Sequence, residues 1–547
     1  MQITTHATVG ASDSTQDIIE QILRIRGVGK DEEKEFLNPV LPDLSDLIAQ
    51  LGIDIIQLDH AKSIVDQAIA QGQKICVYGD YDADGITATA IMWLTLSKLG
   101  AKVLPFIPSR TRHGYGLSDA SVAELLSGQG FANSKYRDFV PDIIITVDNG
   151  IVASKQIQKL VGAGKKVILT DHHQPTDSLP NCDALIHTIK TSGAGISWVA
   201  ARYFSKDATF AKERIDLATI GIVADQMPVI GVNRGVIKYG LKAIEQTNLL
   251  GLRTILSNAG IAGKALTTYD INYVIGPRIN AVGRIDDALA ALRLLCTGNK
   301  QVADELSQSM ELLNKERQQL TDSAIEDALK HIDDNKITIV ASADYHHGVI
   351  GLIAGKLAEK THKPAIAMSI DGNLVKGSAR SVTGVNVTEL LRKHAGLLSG
   401  VGGHEQAAGF SLPIANLDEF ISALTEDVNT NIGDDLLQNT TIVDLEIPIT
   451  STSLELASAV ERLEPYGIGN IKPRFVSFNL NVLEDRAMGD GGKHHKLTIE
   501  CKGKSRTAIW FNGQPITKAI KTLIYSLNIN NWKNKKELQL VASYVEI

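Results

Sequence analysis

Three short apolar runs in the first half of the chain end in carboxylates. Val77-Tyr78 leads into Gly79-Asp80-Tyr81-Asp82-Ala83-Asp84-Gly85, Ile145-Thr146-Val147 into Asp148-Asn149-Gly150, and Leu169-Thr170 into Asp171-His172-His173. A further acid, Asp225, follows IDLATIGIVA in the same position relative to its own hydrophobic segment. Acids gathered in one crevice repel each other at neutral pH, and burial raises their pKa values unless cations compensate. Metal ions answer both problems. Carboxylates with one or two imidazoles are the ligand set of Mn²⁺ or Mg²⁺, and the scattered cysteines, Cys76, Cys182, Cys296 and Cys501, lack the spacing of a structural zinc site. Singly, a DxDG is a turn and a DHH a polar strand end; the combination, in this order, points to a metal site.

The elements that must position these acids follow from the pattern around them. Between about 61 and 255, β-rich runs (ICVY, VLPFI, DIIITV, KVILT) alternate with helix-length segments, which predicts a doubly wound parallel sheet. In such sheets the carboxyl ends of the strands line the ligand crevice, so the acids should converge. Residues 301–332 lack Gly and Pro and carry Leu306, Met310, Leu313, Leu320, Ala324 and Ala328 at helical spacing, a long connecting helix within the region 256–335. A smaller α/β domain is expected over 336–430. Beyond 437 the chain is strand-rich, and five or so short strands over 437–547 suggest a small OB-like β-barrel. Residues 1–60 read as an N-terminal segment without catalytic signal.

Composition bounds the rest. A chain of 547 residues with 44% hydrophobic and 21% charged residues is too long for one core and too balanced for a disordered or collagen-like protein. No apolar run approaches the ~20 residues that span a bilayer. The start, MQITTHATVG, has neither a basic stretch nor an apolar signal core, so the cytoplasm is expected and no membrane partner. The net charge is −7, but from Lys493 onward ten Lys and Arg face three acids, so this tail carries +7 and the remainder −14. A basic tail containing Trp510, Phe511 and Trp532 suits single-stranded nucleic acid, although the same aromatics equally suit a barrel core.

These residues carry a resemblance. GDYDADGITATA (79–90), VDNGI (147–151), TDHH (170–173) and VADQMP (223–228) resemble the four motifs of the DHH phosphoesterase superfamily, and HHGVIGLIAGKL (346–357), KGSARS (376–381) and GVGGHEQAAGF (400–410) resemble its DHHA1 substrate-binding domain. PSRTRHGYGL (108–117), GPRINAVGRIDDA (276–288), LNKERQ (313–318) and PYGIGNIKPRF (465–475) are similar to the RecJ-type branch, single-strand-specific 5′→3′ exonucleases. The resemblance covers residue 60 to the end. It implies that Asp82, Asp84, Asp148, His172 and Asp225 ligate two divalent cations, Mn²⁺ or Mg²⁺, with Asp148 as the bridge and Asp80 as a further ligand. His173, beside a ligand, is the candidate catalytic group at the phosphate. For the substrate it implies Arg110, Arg278, Asn280, Arg284, Ser378, Arg380, Gly402, Gly403 and His404.

Two positions depart from the superfamily pattern. Tyr78 stands where other branches carry a ligating His, and Leu185-Ile186 leads into His187-Thr188 where RecJ-type chains commonly read Asn-Pro. The implied activity is hydrolysis of single-stranded DNA to 5′ mononucleotides in repair and recombination, by a monomer, with a single-strand-binding protein and a helicase as candidate protein partners. A phosphodiesterase for short oligonucleotides or cyclic dinucleotides is the alternative within the superfamily. An inorganic pyrophosphatase is disfavoured by the GGH-type motif, and a non-catalytic repair scaffold by the intact acid and histidine set.

Overall fold

The apolar runs that end in acids are parallel strands of one sheet. The computed structural model describes residues 2–10, 13–110, 112–114, 116–129, 139–176, 178–438, 440–517, 519–532 and 535–547. Thr111 and Tyr115 of the 108–117 motif, and the side chain of Trp532, lie outside the described residues. The chain forms two units, one of Ile3–Pro277, Ala291–Asp304 and Ile442–Ile547, the other of Arg278–Ala290 and Glu305–Thr441 with the first two residues.

After a first strand, β1 (Gln2–Thr8), the larger unit builds a five-stranded sheet from β2 (Lys74–Tyr78), β3 (Lys102–Phe106), β4 (Ile143–Val147), β5 (Lys166–Asp171) and β6 (Ala184–His187). Its order is β3-β2-β4-β5-β6 and every pair is parallel. The winding reverses at β2, which pairs with β3 on one side and β4 on the other. Ligand crevices open at such a switch point, outside the carboxyl ends of the strands. Every residue of β4 is buried, as expected of a β-branched run covered on both faces. IDLATIGIVA, by contrast, is a helix (Ile215–Ala224) with Ile215–Val223 buried, packed against the helices Ala83–Lys98 and Gly193–Phe204. A helix apolar all round has no moment to read from sequence.

The smaller unit holds a mixed sheet of β7 (Thr338–Ser342), β8 (Ala365–Asp371), β9 (Leu374–Arg380), β10 (Gly400–His404) and β11 (Ala407–Pro413), in the order β10-β11-β9-β8-β7 with only β7 and β8 parallel. The predicted long helix forms as Lys300–Ala328.

The C-terminal strands are β12 (Thr440–Glu446), β13 (Phe475–Met488), β14 (His494–Cys501), β15 (Lys504–Trp510), β16 (Ile520–Trp532) and β17 (Lys535–Glu546). The ladder β13-β14-β15-β17-β16 closes through a β13–β16 pairing into a five-stranded barrel. Full closure removes the exposed sheet edges. The barrel recruits the start of the chain: β1 pairs with β12, and Ile18, Ile19, Ile22 and Leu23 from the helix Thr15–Ile25 share a core with Leu497, Leu523 and Tyr525. Arg234, 1% exposed, fastens this module to the parallel-sheet domain, donating to the carbonyls of Phe36, Leu463, Glu464 and Pro465. A buried guanidinium is tolerable because its donors are satisfied in this way. Among the described residues no helix is long and apolar enough to cross a membrane.

Candidate metal centre and substrate face

The loop after β2 and the first turn of the helix that follows carry three acids. Asp82 caps the helix Ala83–Lys98, accepting from the Gly85 amide at 3.0 Å, and Asp80 accepts from the Tyr81 amide at 2.7 Å. Asp84, in the first helical turn, is held from far along the sequence: Oδ1 accepts from Ser192 Oγ (2.7 Å) and the Ala194 amide (3.0 Å), and Oδ2 from the Gly193 amide (2.7 Å). The N-terminus of the helix Gly193–Phe204 thus seats the carboxylate, as helix N-termini do for anions. Gly193 lies against Asp148 as well, and a Cβ there would sit 2.4 Å from the Asp148 Cβ.

At the end of β4, Asp148 adopts φ +62°, a left-handed conformation that Asp tolerates better than most residues. Its amide donates to the Thr170 carbonyl. His172 Nε2 lies 3.1 Å from Asp148 Oδ1, 3.5 Å from Asp225 Oδ2 and 3.9 Å from Asp84 Oδ2. Three trios have ligand atoms close enough to share an ion: Asp80, Asp82 and Asp148; Asp84, His172 and Asp225; and Asp148, His172 and His173. Asp148 and His172 each belong to two trios. Asp148 Oδ1 and His172 Nε2 are buried without a hydrogen-bond partner among the described residues, the state of ligand atoms directed at a cation.

The electrostatics agree. Burial, reinforced by the charge of Asp82, lifts Asp80 to about 7, and burial with Asp84 and Asp82 lifts Asp225 to about 8. Asp148 is pushed well above the carboxylate range, by burial first and then by Asp84, Asp82, Asp80 and Asp225. Burial lowers His172 despite the acids around it. The donor set is hard oxygens with imidazole nitrogen, matched to Mn²⁺ or Mg²⁺.

His173 is placed by Asp171, a residue to which the sequence alone assigns no role. Its Nδ1 lies 2.7 Å from Asp171 Oδ1, while Asp171 Oδ2 accepts from the Ile151 amide. Burial alone would lower His173, but the hydrogen bond and charge of Asp171, with Asp225 and Asp80, raise it to about 9. His187, in register with Asp171, directs Nε2 at the His173 carbonyl (2.8 Å) and so holds the backbone of the same turn. Tyr78 is turned away from the acids: its hydroxyl donates to the Gly116 carbonyl and its ring stacks on Phe106. Arg110 lies with its guanidinium 4.3 Å from the Tyr81 ring centre, and its Nε is buried without a hydrogen-bond partner among the described residues.

The remaining predicted substrate residues belong to the smaller unit. Pairing of β9, β11 and β10 sets Ser378 opposite Gly409 and Gly409 opposite Gly402; one row further, Arg380, Ala407 and His404 align. Residues directly opposite in a ladder share a face, so Ser378, Arg380, Gly402 and His404 form one polar surface, with Gly409 as an unpredicted member. Gly403 alternates to the other face. Arg380 donates to Ser378 Oγ and the Ala379 carbonyl. Arg278, Asn280 and Arg284 lie on the helix Gly276–Ile285; Arg278 forms a two-pronged pair with Glu311, and Arg284 donates to the Gly348 carbonyl. In the barrel, Trp510 packs against the core, whereas Phe511 is 53% exposed with its ring edge-on to His494.

Three family models match the chain: the DHH family, N-terminal domain, over residues 74–222; the DHHA1 domain over 333–430; and the RecJ OB domain over 443–544. The single-stranded-DNA-specific exonuclease RecJ of Bacillus subtilis (strain 168) is 33% identical over 506 residues, 88% of this chain; the chain spans 62% of that relative's length. The crystal structure of RecJ in complex with Mn²⁺ from Thermus thermophilus superposes with a TM-score of 0.83 at 27% identity, covering 100% of this chain and 79% of that one. A crystal structure of exonuclease RecJ bound to manganese, at 33% identity and a TM-score of 0.61, is covered over 95% of its length by 69% of this chain.

Proposed function

Because the chain belongs to the RecJ family of DHH/DHHA1 phosphoesterases, we propose that it is a metal-dependent exonuclease that hydrolyses single-stranded DNA from the 5′ end to 5′ mononucleotides, in DNA repair and recombination. The observation that carries this reading is the approach of two ligand atoms, Asp148 Oδ1 and His172 Nε2, buried 3.1 Å apart among crowded carboxylates with no hydrogen-bond partner among the described residues. Asp80, Asp82, Asp84, Asp148, His172 and Asp225 would hold two Mn²⁺ or Mg²⁺ ions, with Asp148 shared. Bound there, such ions supply an activated water and neutralise charge at phosphorus.

The protein's own groups do the rest. His173, oriented at Nδ1 by Asp171 and raised to about 9, would contact an oxygen of the scissile phosphate as a cation, a histidine–carboxylate arrangement that fixes the ring. Arg110, Arg278, Arg284 and Arg380 grip phosphates near the 5′ end, where a planar fork gives bidentate contacts. Asn280, Ser378, Gly402 and His404 line the strand with donors and a low floor, Gly403 serving only through its backbone between them, and the barrel holds the following nucleotides with Phe511 as its exposed aromatic. A single-strand-binding protein and a helicase would present the strand.

The test is incubation with Mn²⁺ and oligonucleotides labelled at either end. Progressive shortening from the 5′ end of single strands, with mononucleotide products, is the expected result. Attack from the 3′ end, or turnover of dinucleotides alone, would assign the chain to short-oligonucleotide phosphodiesterases.

A further inference from the structure

The loop that carries Arg110 is closed from behind by a histidine that the proposed reaction does not use. His113 is 6% exposed. Its Nδ1 accepts the Ser109 amide hydrogen at 2.8 Å, and its own amide donates to the Ser109 carbonyl at 2.8 Å, so the ring and backbone clasp Ser109 from both sides. A ring nitrogen that accepts a backbone N–H carries no proton, which places the proton of a neutral imidazole on Nε2. Nε2 lies 3.0 Å from Glu124 Oε1, on the helix Asp119–Ser127, within ion-pair distance but without hydrogen-bond geometry, and Arg112 Nη1 lies 3.6 Å from the same oxygen. The ring also packs, tilted, on Phe106. A strand end and a helix therefore meet the segment at Ser109 through His113, and Arg112 adds a second contact to the same helix. Immediately beyond Ser109 stands Arg110, laid over Tyr81 between Asp80 and Asp82.

We propose that His113 is a positioning residue for recognition of the strand terminus: hydrogen-bonded to Ser109 and packed between Phe106 and Glu124, it holds Arg110 in the orientation that meets a 5′ phosphate. This rests on the assignment of Arg110 to that phosphate. A histidine that merely filled the core would affect stability alone.

The test compares 5′-phosphorylated with 5′-hydroxyl single strands under Mn²⁺, measuring KM and kcat separately. His113→Asn keeps an acceptor at the place of Nδ1, whereas His113→Gln keeps an amide near Nε2 and loses that acceptor. His113→Gln should raise KM for the phosphorylated strand about tenfold, the equivalent of one charge-assisted contact, with kcat and the KM of the hydroxyl strand within about twofold of wild type. His113→Asn should restore the preference for phosphate. An unchanged preference in His113→Gln, or equal losses on both substrates, would overturn the inference. Should His113→Gln not fold, Glu124→Leu frees both the ring and Arg112, so it is read beside Arg112→Ala. A phosphate-selective rise in Glu124→Leu that Arg112→Ala lacks supports the inference, and wild-type behaviour of Glu124→Leu, or the same rise in both, overturns it. Arg110→Ala separates the two layers. If it leaves the preference intact, the assignment of Arg110 itself is wrong; if it abolishes the preference and His113→Gln does not, only the role of His113 is wrong.

Discussion

The acid crevice at the ends of β2, β4 and β5 and the polar face of β9, β11 and β10 are built on opposite principles. In the crevice Asp84 and His173 are held by short hydrogen bonds, three donors from 192–194 on Asp84 and Asp171 behind His173, and Asp148 by a left-handed backbone. Charge is concentrated there against its own repulsion. The face of the smaller unit is open, with Gly402, His404 and Gly409 exposed, and its arginines are already satisfied by a neighbouring hydroxyl, carbonyl or carboxylate. One region stores electrostatic cost that a cation relieves; the other offers contacts that a substrate must share with existing partners. Substitutions in the first should therefore have large and metal-dependent effects, and in the second small and substrate-dependent ones.

The largest effect should come from Asp148→Ala, which removes the carboxylate common to two of the trios. Hydrolysis should fall by about three orders of magnitude or more, ~4 kcal/mol of barrier. The metal-free protein should melt at a higher temperature than wild type, because a carboxyl that burial and its neighbours drive to take up a proton is gone, and Mn²⁺ should no longer stabilise it. Near-normal turnover at saturating Mn²⁺ would end the two-metal reading. Gly193→Ala breaks the same region through its scaffold. The new methyl would force Asp148 away from Asp84, and displacement of about 1 Å typically costs ~100-fold in rate. Normal Mn²⁺ stabilisation in this variant would show that the backbone gives way without moving the acids.

A milder probe is pH. Asp80 and Asp225 stand at about 7 and about 8, both above their unfolded values, so the folded metal-free chain binds more protons than the unfolded one between about 4 and 8. Its stability should be greatest at the acid end of that window and fall as pH rises, each group contributing about 1.4 kcal/mol per pH unit at most. Mn²⁺ should flatten or reverse the slope. Denaturant midpoints from pH 5.5 to 8.5, with and without Mn²⁺, measure it; a metal-free slope of the opposite sign contradicts the crowded-carboxylate account.

The contrast also explains what the sequence disclosed. Asp80, Asp82, Asp84, Asp148, His172 and His173 were legible because a parallel strand ends in its own loop, so the chemistry lies within a few residues of a recognisable β-run. The partners that hold those groups were not: Ser192–Ala194 are more than a hundred residues from Asp84, and nothing in a Ser-Gly-Ala-Gly run distinguishes an anion seat from an ordinary N-cap. The helix Thr15–Ile25 is amphipathic by its spacing, but period reports a buried face without naming what buries it, and its partner is a barrel that begins four hundred residues later. Tyr78 could be identified as a departure but not as a buried hydroxyl directed at Gly116. Glu311 was hidden in a helix read as a connector.

Glu311 yields the smallest and most discriminating prediction. Arg278 cannot give both prongs of its fork to Glu311 and to a terminal phosphate at once, so the pair competes with substrate. Arg278→Ala confuses two effects, since it removes a phosphate ligand and also strands a half-buried carboxylate. Glu311→Gln is cleaner: it keeps the shape and one acceptor but surrenders the charge. Partly exposed ion pairs are worth about 0.2–1 kcal/mol, so KM for a 5′-phosphorylated strand should fall by a factor of about 1.4 to 5, with kcat unchanged and a slightly lower melting temperature. A 5′-hydroxyl strand, which brings no competing charge, should show no change. If Glu311→Gln lowers only the melting temperature, Arg278 is a strut of the helix Gly276–Ile285, and recognition of the 5′ end passes to Arg110 and Arg380.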